Sequence, residues 1–94
     1  MLKLVCLSAK WCSPCKVQEP IIEDVIKKFS TRIENKELIL VLKLDVDNSD
    51  KNEVAKYQVH AVPTTIIERD GVILHRFVGV TSFERLKKFI EDEL

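Results

Sequence analysis

The stretch Trp11-Cys12-Ser13-Pro14-Cys15-Lys16 carries two cysteines separated by two residues, at the point where an apolar run gives way to a long helical pattern. Three residues turn a helix through nearly a full circle, so the two sulfur atoms come close enough to bond. Cys12 precedes the first predicted turn, where unpaired N–H groups and the helix dipole stabilise a thiolate. The stretch therefore predicts a reversible two-electron dithiol/disulfide switch.

The composition of the chain limits which other functions are possible. Its 94 residues are enough for one small domain, residues 1–94, and too few for two. Fifteen basic and fifteen acidic residues balance, so the excess positive charge of a nucleic-acid-binding protein is not expected. No apolar run approaches the ~18 residues that span a membrane, and the N-terminus is too interrupted for a secretory signal. We therefore expect a cytoplasmic protein with no nucleic-acid and no membrane partner.

Hydrophobic patterning predicts four strands, at residues 3–8, 38–44, 65–69 and 72–78. The nearly continuous apolar run at 38–44 indicates a strand that is covered on both faces. The Asp70-Gly71 pair between the last two strands is a hairpin turn signal, so those strands are expected to be antiparallel.

Three segments have helical spacing. The first covers 13 to about 33, and Pro20 is expected to kink it rather than end it. The second covers about 50–57 with Asp50 as its cap, and Thr81 or Ser82 caps the last one. The apolar positions that define the predicted buried faces are Val17, Ile21, Ile22, Val25, Ile26, Phe29 and Ile33 in the first helix and Phe83, Leu86, Phe89 and Ile90 in the last.

The predicted element order is βαβαββα. We expect the first βαβ unit to be right-handed with parallel strands, and the hairpin to add two antiparallel strands. The predicted fold class is therefore α/β, with a four-stranded mixed sheet and helices on both faces.

This element order, together with six motifs in matching order, resembles the thioredoxin family over nearly the whole chain. The motifs are the stretch 11–16, Pro20, Lys43-Leu44-Asp45-Val46-Asp47, Val62-Pro63-Thr64, Asp70-Gly71 and Val78-Gly79. Three features depart from the family pattern. The chain begins at the strand that leads into the active site, without the strand and helix that precede it in full-length thioredoxins. Cys6 occupies the position of the family's buried aspartate, and Ser13 replaces a commoner glycine.

The resemblance implies a reaction and a role for each cysteine. Cys12 is expected to be partly exposed and to attack a substrate disulfide, and the more buried Cys15 is expected to resolve the mixed disulfide. Pro14 stiffens the loop between them, and Pro63 matches the family's cis-proline beside the sulfur atoms. The resemblance assigns substrate binding to Trp11, Ser13, Pro14, Val62, Thr64, Gly79 and Val80, with the Val62 backbone pairing to an extended segment.

The proton that leaves Cys15 needs an acceptor, a role that thioredoxins usually give to the buried aspartate. Cys6 is a poor substitute because burial raises the pKa of a thiol. Lys43 matches the family's buried lysine and is expected to hold a charge or a water molecule there. The hypothesis from the sequence is that solvent or a Lys43-bound water takes the proton, and that the resolving step is slower as a result.

Other interpretations of the same residues stay open at this level. The two cysteines could belong to a zinc site, although only Cys6, His60 and His75 remain as further ligands and none of them is paired. His60 is expected in a solvated loop and His75 on an exposed edge strand. The competing functions are a glutaredoxin-like, glutathione-dependent oxidoreductase and a binding module whose cysteines are idle.

For a thioredoxin-like protein-disulfide reductase, the resemblance also implies partners. These are disulfide-containing substrate proteins and a thioredoxin reductase that recycles the pair. We expect a monomer that binds no cofactor and no metal ion.

Overall fold

The computed structural model describes residues 1–30 and 39–94, and the predicted element order βαβαββα is confirmed. The elements are β1 (Leu2–Ser8), α1 (Ser13–Ser30), β2 (Leu40–Asp45), α2 (Lys51–Lys56), β3 (Thr64–Arg69), β4 (Val72–Val78) and α3 (Phe83–Glu93). Two predicted element ends, Ile33 of the first helix and Leu38 of the second strand, lie outside the described residues.

The four strands form one mixed sheet in the order β2-β1-β3-β4. Strands β1 and β2 are parallel, whereas β3 is antiparallel to both β1 and β4. Cys6 of β1 pairs with Lys43 of β2 on one side and with Thr65 of β3 on the other. Paired residues of adjacent strands share a face, so these three side chains form one row across the sheet.

Helices cover both faces of the sheet, as predicted. Alternation along β1 sends Leu2 and Leu4 to the face that α1 and α3 cover, and Val5 and Leu7 to the face that α2 covers. The first cluster contains Leu2, Leu4, Ile22, Val25, Phe29, Ile67, Phe77, Leu86 and Ile90, and the second contains Val5, Leu7, Leu44, Tyr57 and Ile66.

Side chains at the helix starts satisfy backbone N–H groups that have no partner within the helix. The Asp50 carboxylate accepts hydrogen bonds from the N–H groups of Asn52 and Glu53 at the start of α2. Ser82 rather than Thr81 caps α3, because its hydroxyl accepts from the Arg85 N–H at 3.2 Å.

The prediction that the second strand is covered on both faces is wrong. Strand β2 lies at the edge of the sheet, and Leu40 is 52% exposed. Strand β4 is an edge strand, as predicted for His75, but the His75 side chain is half-buried, because its ring lies 4.3 Å from the Phe77 ring and 5.0 Å from the Phe89 ring. Within residues 1–30 and 39–94, none of the helices combines the length and apolar character that crossing a membrane requires.

Candidate active site

Cys12 and Cys15 lie where strand β1 passes into helix α1. The helix begins at Ser13, so Cys12 directly precedes its first turn, and a disulfide joins the two residues with their Cα atoms 5.3 Å apart. The backbone N–H of Cys15 donates a hydrogen bond to Cys12 Sγ at 3.2 Å. An N–H group of the first helical turn that points at sulfur stabilises negative charge on that atom.

The expected difference in exposure between the two cysteines is absent from this disulfide form. Cys12 is 4% exposed and Cys15 is 6% exposed, so the prediction of a partly exposed Cys12 is wrong here. The physical reason is that Val46 and Val62 both pack against the cysteine pair.

The segment before β3 lies next to the disulfide. The Val62–Pro63 peptide bond is cis, and the Val62 carbonyl oxygen lies 3.6 Å from Cys12 Sγ. The Gly79 N–H donates to the Pro63 carbonyl at 2.8 Å, which holds the end of β4 beside this segment. Gly79 has φ +87°, a left-handed conformation that side-chain-bearing residues rarely adopt.

Trp11 flanks the disulfide and is 70% exposed. Its indole Nε1–H donates to Asp47 Oδ2 at 2.7 Å, which links the active-site loop to the turn after β2. A groove of ≈ 310 Å³ runs beside the Trp11 ring, and Val54, His60 and Val62 contribute to its wall. His60 is exposed on this rim, in keeping with the predicted solvated loop position.

The other residues that the sequence assigned to substrate binding are not all on the surface. Ser13, Pro14 and Val80 are exposed, and Gly79 is half-buried. Thr64 is 2% exposed, and its hydroxyl donates to the Ala61 carbonyl at 2.7 Å. The Thr64 side chain therefore does not belong to the exposed surface.

Lys43 is not the buried lysine that the sequence suggested. Its side chain is 53% exposed, and its Nζ forms an ion pair with Glu23 Oε2 of helix α1. The hydrogen bond to Glu23 raises the pKa of Lys43 above its ordinary value, so the amine stays protonated near neutral pH. The prediction fails because β2 is an edge strand, which lets the long side chain reach the rim of the sheet.

Cys6 lies beneath helix α1 as a half-buried thiol that packs against the first apolar cluster. Burial raises the pKa of Cys6 to about 12, which keeps the thiol neutral.

The family model for thioredoxin matches residues 1–92 of this chain. The chain belongs to the thioredoxin family. A thioredoxin of Staphylococcus epidermidis is 33% identical over 93 residues, which cover 99% of this chain and 83% of that relative. A thioredoxin of Staphylococcus aureus is 32% identical with the same coverage of both chains.

Solved thioredoxin structures share the fold. The Fasciola hepatica thioredoxin superposes with a TM-score of 0.79 at 30% identity, covering 99% of this chain and 81% of that one. The germline-specific thioredoxin Deadhead of Drosophila melanogaster gives a TM-score of 0.80 at 27% identity, with the same coverage. Family membership and the Cys12–Cys15 disulfide make this protein a thiol–disulfide oxidoreductase that acts on protein disulfides.

Sequence reasoning missed one buried polar residue near the Cys12–Cys15 disulfide. Gln18 is 3% exposed; its Oε1 accepts from the Thr81 N–H at 2.7 Å, and its Nε2 donates to the Thr81 carbonyl at 3.1 Å. This pair of bonds fixes the segment that follows Gly79 against helix α1. A signal was present, because Gln18 is one turn before Ile22 and two turns before Val25, on the buried side of the helix.

Asp47 was also missed as a partner of Trp11, and no sequence pattern connects residues so far apart. Among the residues that the structure describes, no group of three or more His, Cys, Asp or Glu side chains is arranged around a potential metal position.

Proposed function

We propose that this protein reduces disulfides in other proteins, with Cys12 as the attacking thiolate and Cys15 as the resolving thiol. The observation that carries the order of attack is the hydrogen bond from the Cys15 N–H to Cys12 Sγ at 3.2 Å. A donor at the positive end of the α1 dipole favours the thiolate at position 12 over the one at position 15.

The reaction then proceeds in two displacements. The Cys12 thiolate attacks one sulfur of the substrate disulfide, and the other sulfur leaves as a thiolate. The Cys15 thiol loses its proton and attacks Cys12 Sγ, which breaks the mixed disulfide and releases the second substrate thiolate. The substrate gains two electrons, and the enzyme is left with the Cys12–Cys15 disulfide.

The surface around Cys12 suits an extended protein segment. Trp11, next to Cys12, and Val80, next to Gly79, are exposed apolar side chains, and Pro14 is exposed between the two cysteines. The Val62 carbonyl beside Cys12 Sγ offers a backbone acceptor for strand-like pairing with the segment that carries the disulfide. Backbone pairing recognises an extended chain regardless of its sequence, which fits a reductase of several proteins.

We further propose a cytoplasmic monomer that a thioredoxin reductase returns to the dithiol form. Family membership supports the choice of reductase, because the thioredoxin relatives are matched along nearly the whole chain. The reduction of protein disulfides belongs to a reducing compartment, where dithiol pairs of this kind are kept ready to donate electrons.

Trapping of the mixed disulfide tests the order of attack. Cys15→Ser is expected to accumulate a covalent adduct with disulfide-bonded insulin. The adduct is detected as a mass increase that dithiothreitol reverses. The matched variant Cys12→Ser is expected to give no adduct and no insulin reduction. Adducts that form through Cys15 in the Cys12→Ser protein contradict the proposed order.

The electron donor is tested separately with the unmodified chain. Insulin reduction is followed with NADPH and a bacterial thioredoxin reductase, and in parallel with glutathione, glutathione reductase and NADPH. Turnover in the first system is expected. Turnover in the glutathione system alone contradicts the proposed partner and favours the glutaredoxin-like alternative.

A further inference from the structure

A cavity of ≈ 140 Å³ lies beneath Cys15, between helix α1 and the sheet. The row Lys43, Cys6 and Thr65 forms its floor, because these paired residues face the helix together. Cys15 and Glu19 contribute from the helix side. They are four residues apart on α1, so they are neighbours on one helical face, with Cβ atoms about 5–6 Å apart.

Thr65, one of the residues that line this cavity, carries a polar atom without a hydrogen-bond partner in the described part of the chain. The Thr65 hydroxyl oxygen is buried and forms no hydrogen bond within residues 1–30 and 39–94. A buried hydroxyl without a partner is destabilising by about 1–3 kcal/mol, so such groups normally bind an ordered water. A water needs only about 10–15 Å³ of this kind of space and two or more polar partners. The cavity has room for a short chain of waters from Thr65 towards the helix.

The groups around Cys15 differ in their ability to accept its proton. Cys6 is excluded, because its raised pKa keeps it a neutral thiol whose anion is unstable there. Lys43 is excluded, because its ion pair with Glu23 keeps the amine protonated. The same ion pair engages the Glu23 carboxylate, because its Oε2 is bonded to the Lys43 amine.

Two carboxylates remain, Asp45 and Glu19, and both line a second opening beside Cys15. Asp45 accepts hydrogen bonds from Asn48 and from the N–H of Asp47, and these bonds lower the pKa of Asp45. The Glu19 side chain has no hydrogen bond or salt bridge to any residue in the described part of the chain, although it interacts electrostatically with Lys43, and it borders both openings. Its exposed position also lets it return a proton to solvent.

We propose that Glu19 accepts the proton of Cys15 through water that the Thr65 hydroxyl holds in the cavity. The inference rests on the proposed order of attack, in which Cys15 is the resolving thiol. In this step the Cys15 S–H proton passes to water, and that water passes a proton to the Glu19 carboxylate. The Cys15 thiolate attacks Cys12 Sγ, the bond from Cys12 to the substrate breaks, and the substrate leaves as a thiolate. Glu19 then releases its proton to bulk solvent.

The two displacements are measured separately with 5,5′-dithiobis(2-nitrobenzoic acid), an aromatic disulfide whose thiolate is coloured. Each displacement releases one coloured thiolate. Under single-turnover conditions the first release reports the attack of Cys12 on the reagent, and the second reports the attack of Cys15 on the mixed disulfide. Glu19→Gln is expected to slow the second release about tenfold or more, within the range of general-base effects, and to leave the first unchanged. Thr65→Val, which keeps the side-chain shape without the hydroxyl, is expected to slow the second release as well.

Asp24→Asn is the matched control, because it removes one negative charge from an exposed position of the same helix. Both releases are expected at the unmodified rate in this variant. Added acetate is expected to accelerate the second release of Glu19→Gln, relative to chloride at equal ionic strength, because a small carboxylate substitutes for the missing acceptor.

The outcomes separate this inference from the proposed function. If Glu19→Gln and Asp24→Asn show the same second release, the role of Glu19 is wrong, whereas the cysteine order is untouched. If both releases slow together in Glu19→Gln and acetate restores neither, the residue acts on structure and the inference is also overturned. If no adduct forms through Cys12 in Cys15→Ser, the proposed function itself fails.

Discussion

Replacement of Gln18 by leucine tests how strongly one buried amide joins helix α1 to the segment before α3. The Gln18 side chain forms two hydrogen bonds with the Thr81 backbone, at 2.7 and 3.1 Å, and both residues are buried. Leucine has a similar volume but no polar atoms. The Thr81 N–H and carbonyl would then be buried without partners.

The expected loss of unfolding free energy follows from the two Thr81 backbone groups that would lose their hydrogen-bond partners. A buried backbone group left without its partner costs about 1–3 kcal/mol, and two groups give about 2–6 kcal/mol. Removal of the buried amide itself and the added apolar contact offset part of this loss. We expect Gln18→Leu to lower the free energy of unfolding by about 2–4 kcal/mol, a large fraction of the total for a small domain.

Urea unfolding of the oxidised protein, followed by far-UV circular dichroism, measures this difference. The matched control is Lys16→Leu, which places the same side chain at an exposed position of the same helix and should change stability by less than about 0.5 kcal/mol. The slope of the unfolding free energy against urea concentration must be equal in all three proteins for the comparison to hold. A Gln18→Leu loss below about 1 kcal/mol would refute the reasoning.

Three further predictions concern other buried or bonded groups. Because the folded pKa of Cys6 is raised to about 12 from 9.0, the folded state retains a proton that the unfolded chain releases, and stability falls as pH rises above 9. The urea concentration at the unfolding midpoint should therefore decrease as the pH is raised from about 8 to 10.5, and this decrease should be smaller in Cys6→Ala. Tyr57→Phe removes the 2.8 Å hydrogen bond to the buried Glu68 carboxylate and should lower the unfolding free energy by about 1.5–3 kcal/mol in the same assay. A double-mutant cycle of Trp11→Phe and Asp47→Ala should give a coupling below about 1 kcal/mol, because this hydrogen bond is exposed; a larger value contradicts the assignment.

The buried face of α1 shows how far helical periodicity can be used. The sequence favoured a row from Val17 to Phe29 at every fourth residue, but Val17 is 56% exposed. Twelve residues at about 100° each leave these two positions about 120° apart around the helix, so one face cannot bury both. Gln18 and Phe29 are about 20° apart by the same measure, and both are buried. The burial of Gln18 was not predicted, because its side chain is polar and its hydrogen-bond partner, Thr81, is remote in the sequence.

The sheet shows a second limit. Composition marked β2 correctly as a strand, yet Leu40 and Val41 are exposed because β2 has only β1 as a neighbour among the described strands. Strand order depends on the whole topology and not on local composition, so an apolar run alone does not separate an edge strand from a central one. The prediction for Lys43 failed for the same reason. The cysteine pair, in contrast, was predicted from local features alone, namely spacing and the start of a helix.

The neutral thiol of Cys6 takes the place of the buried aspartate in the family pattern, so the negative charges near the active site lie elsewhere. A carboxylate at that point would lie beneath helix α1, where burial opposes its charged form and raises its pKa. The neutral Cys6 thiol avoids this penalty. The carboxylate that borders the cavity is Glu19, and Glu23 forms an ion pair with the cavity residue Lys43. Exposed ion pairs such as Glu23–Lys43 contribute less than about 1 kcal/mol to stability. Glu19, the group proposed to accept the proton, is exposed and belongs to no such pair among the described residues, so its replacement should have little effect on folding stability. Its role is therefore tested by the rates of the two releases and not by unfolding.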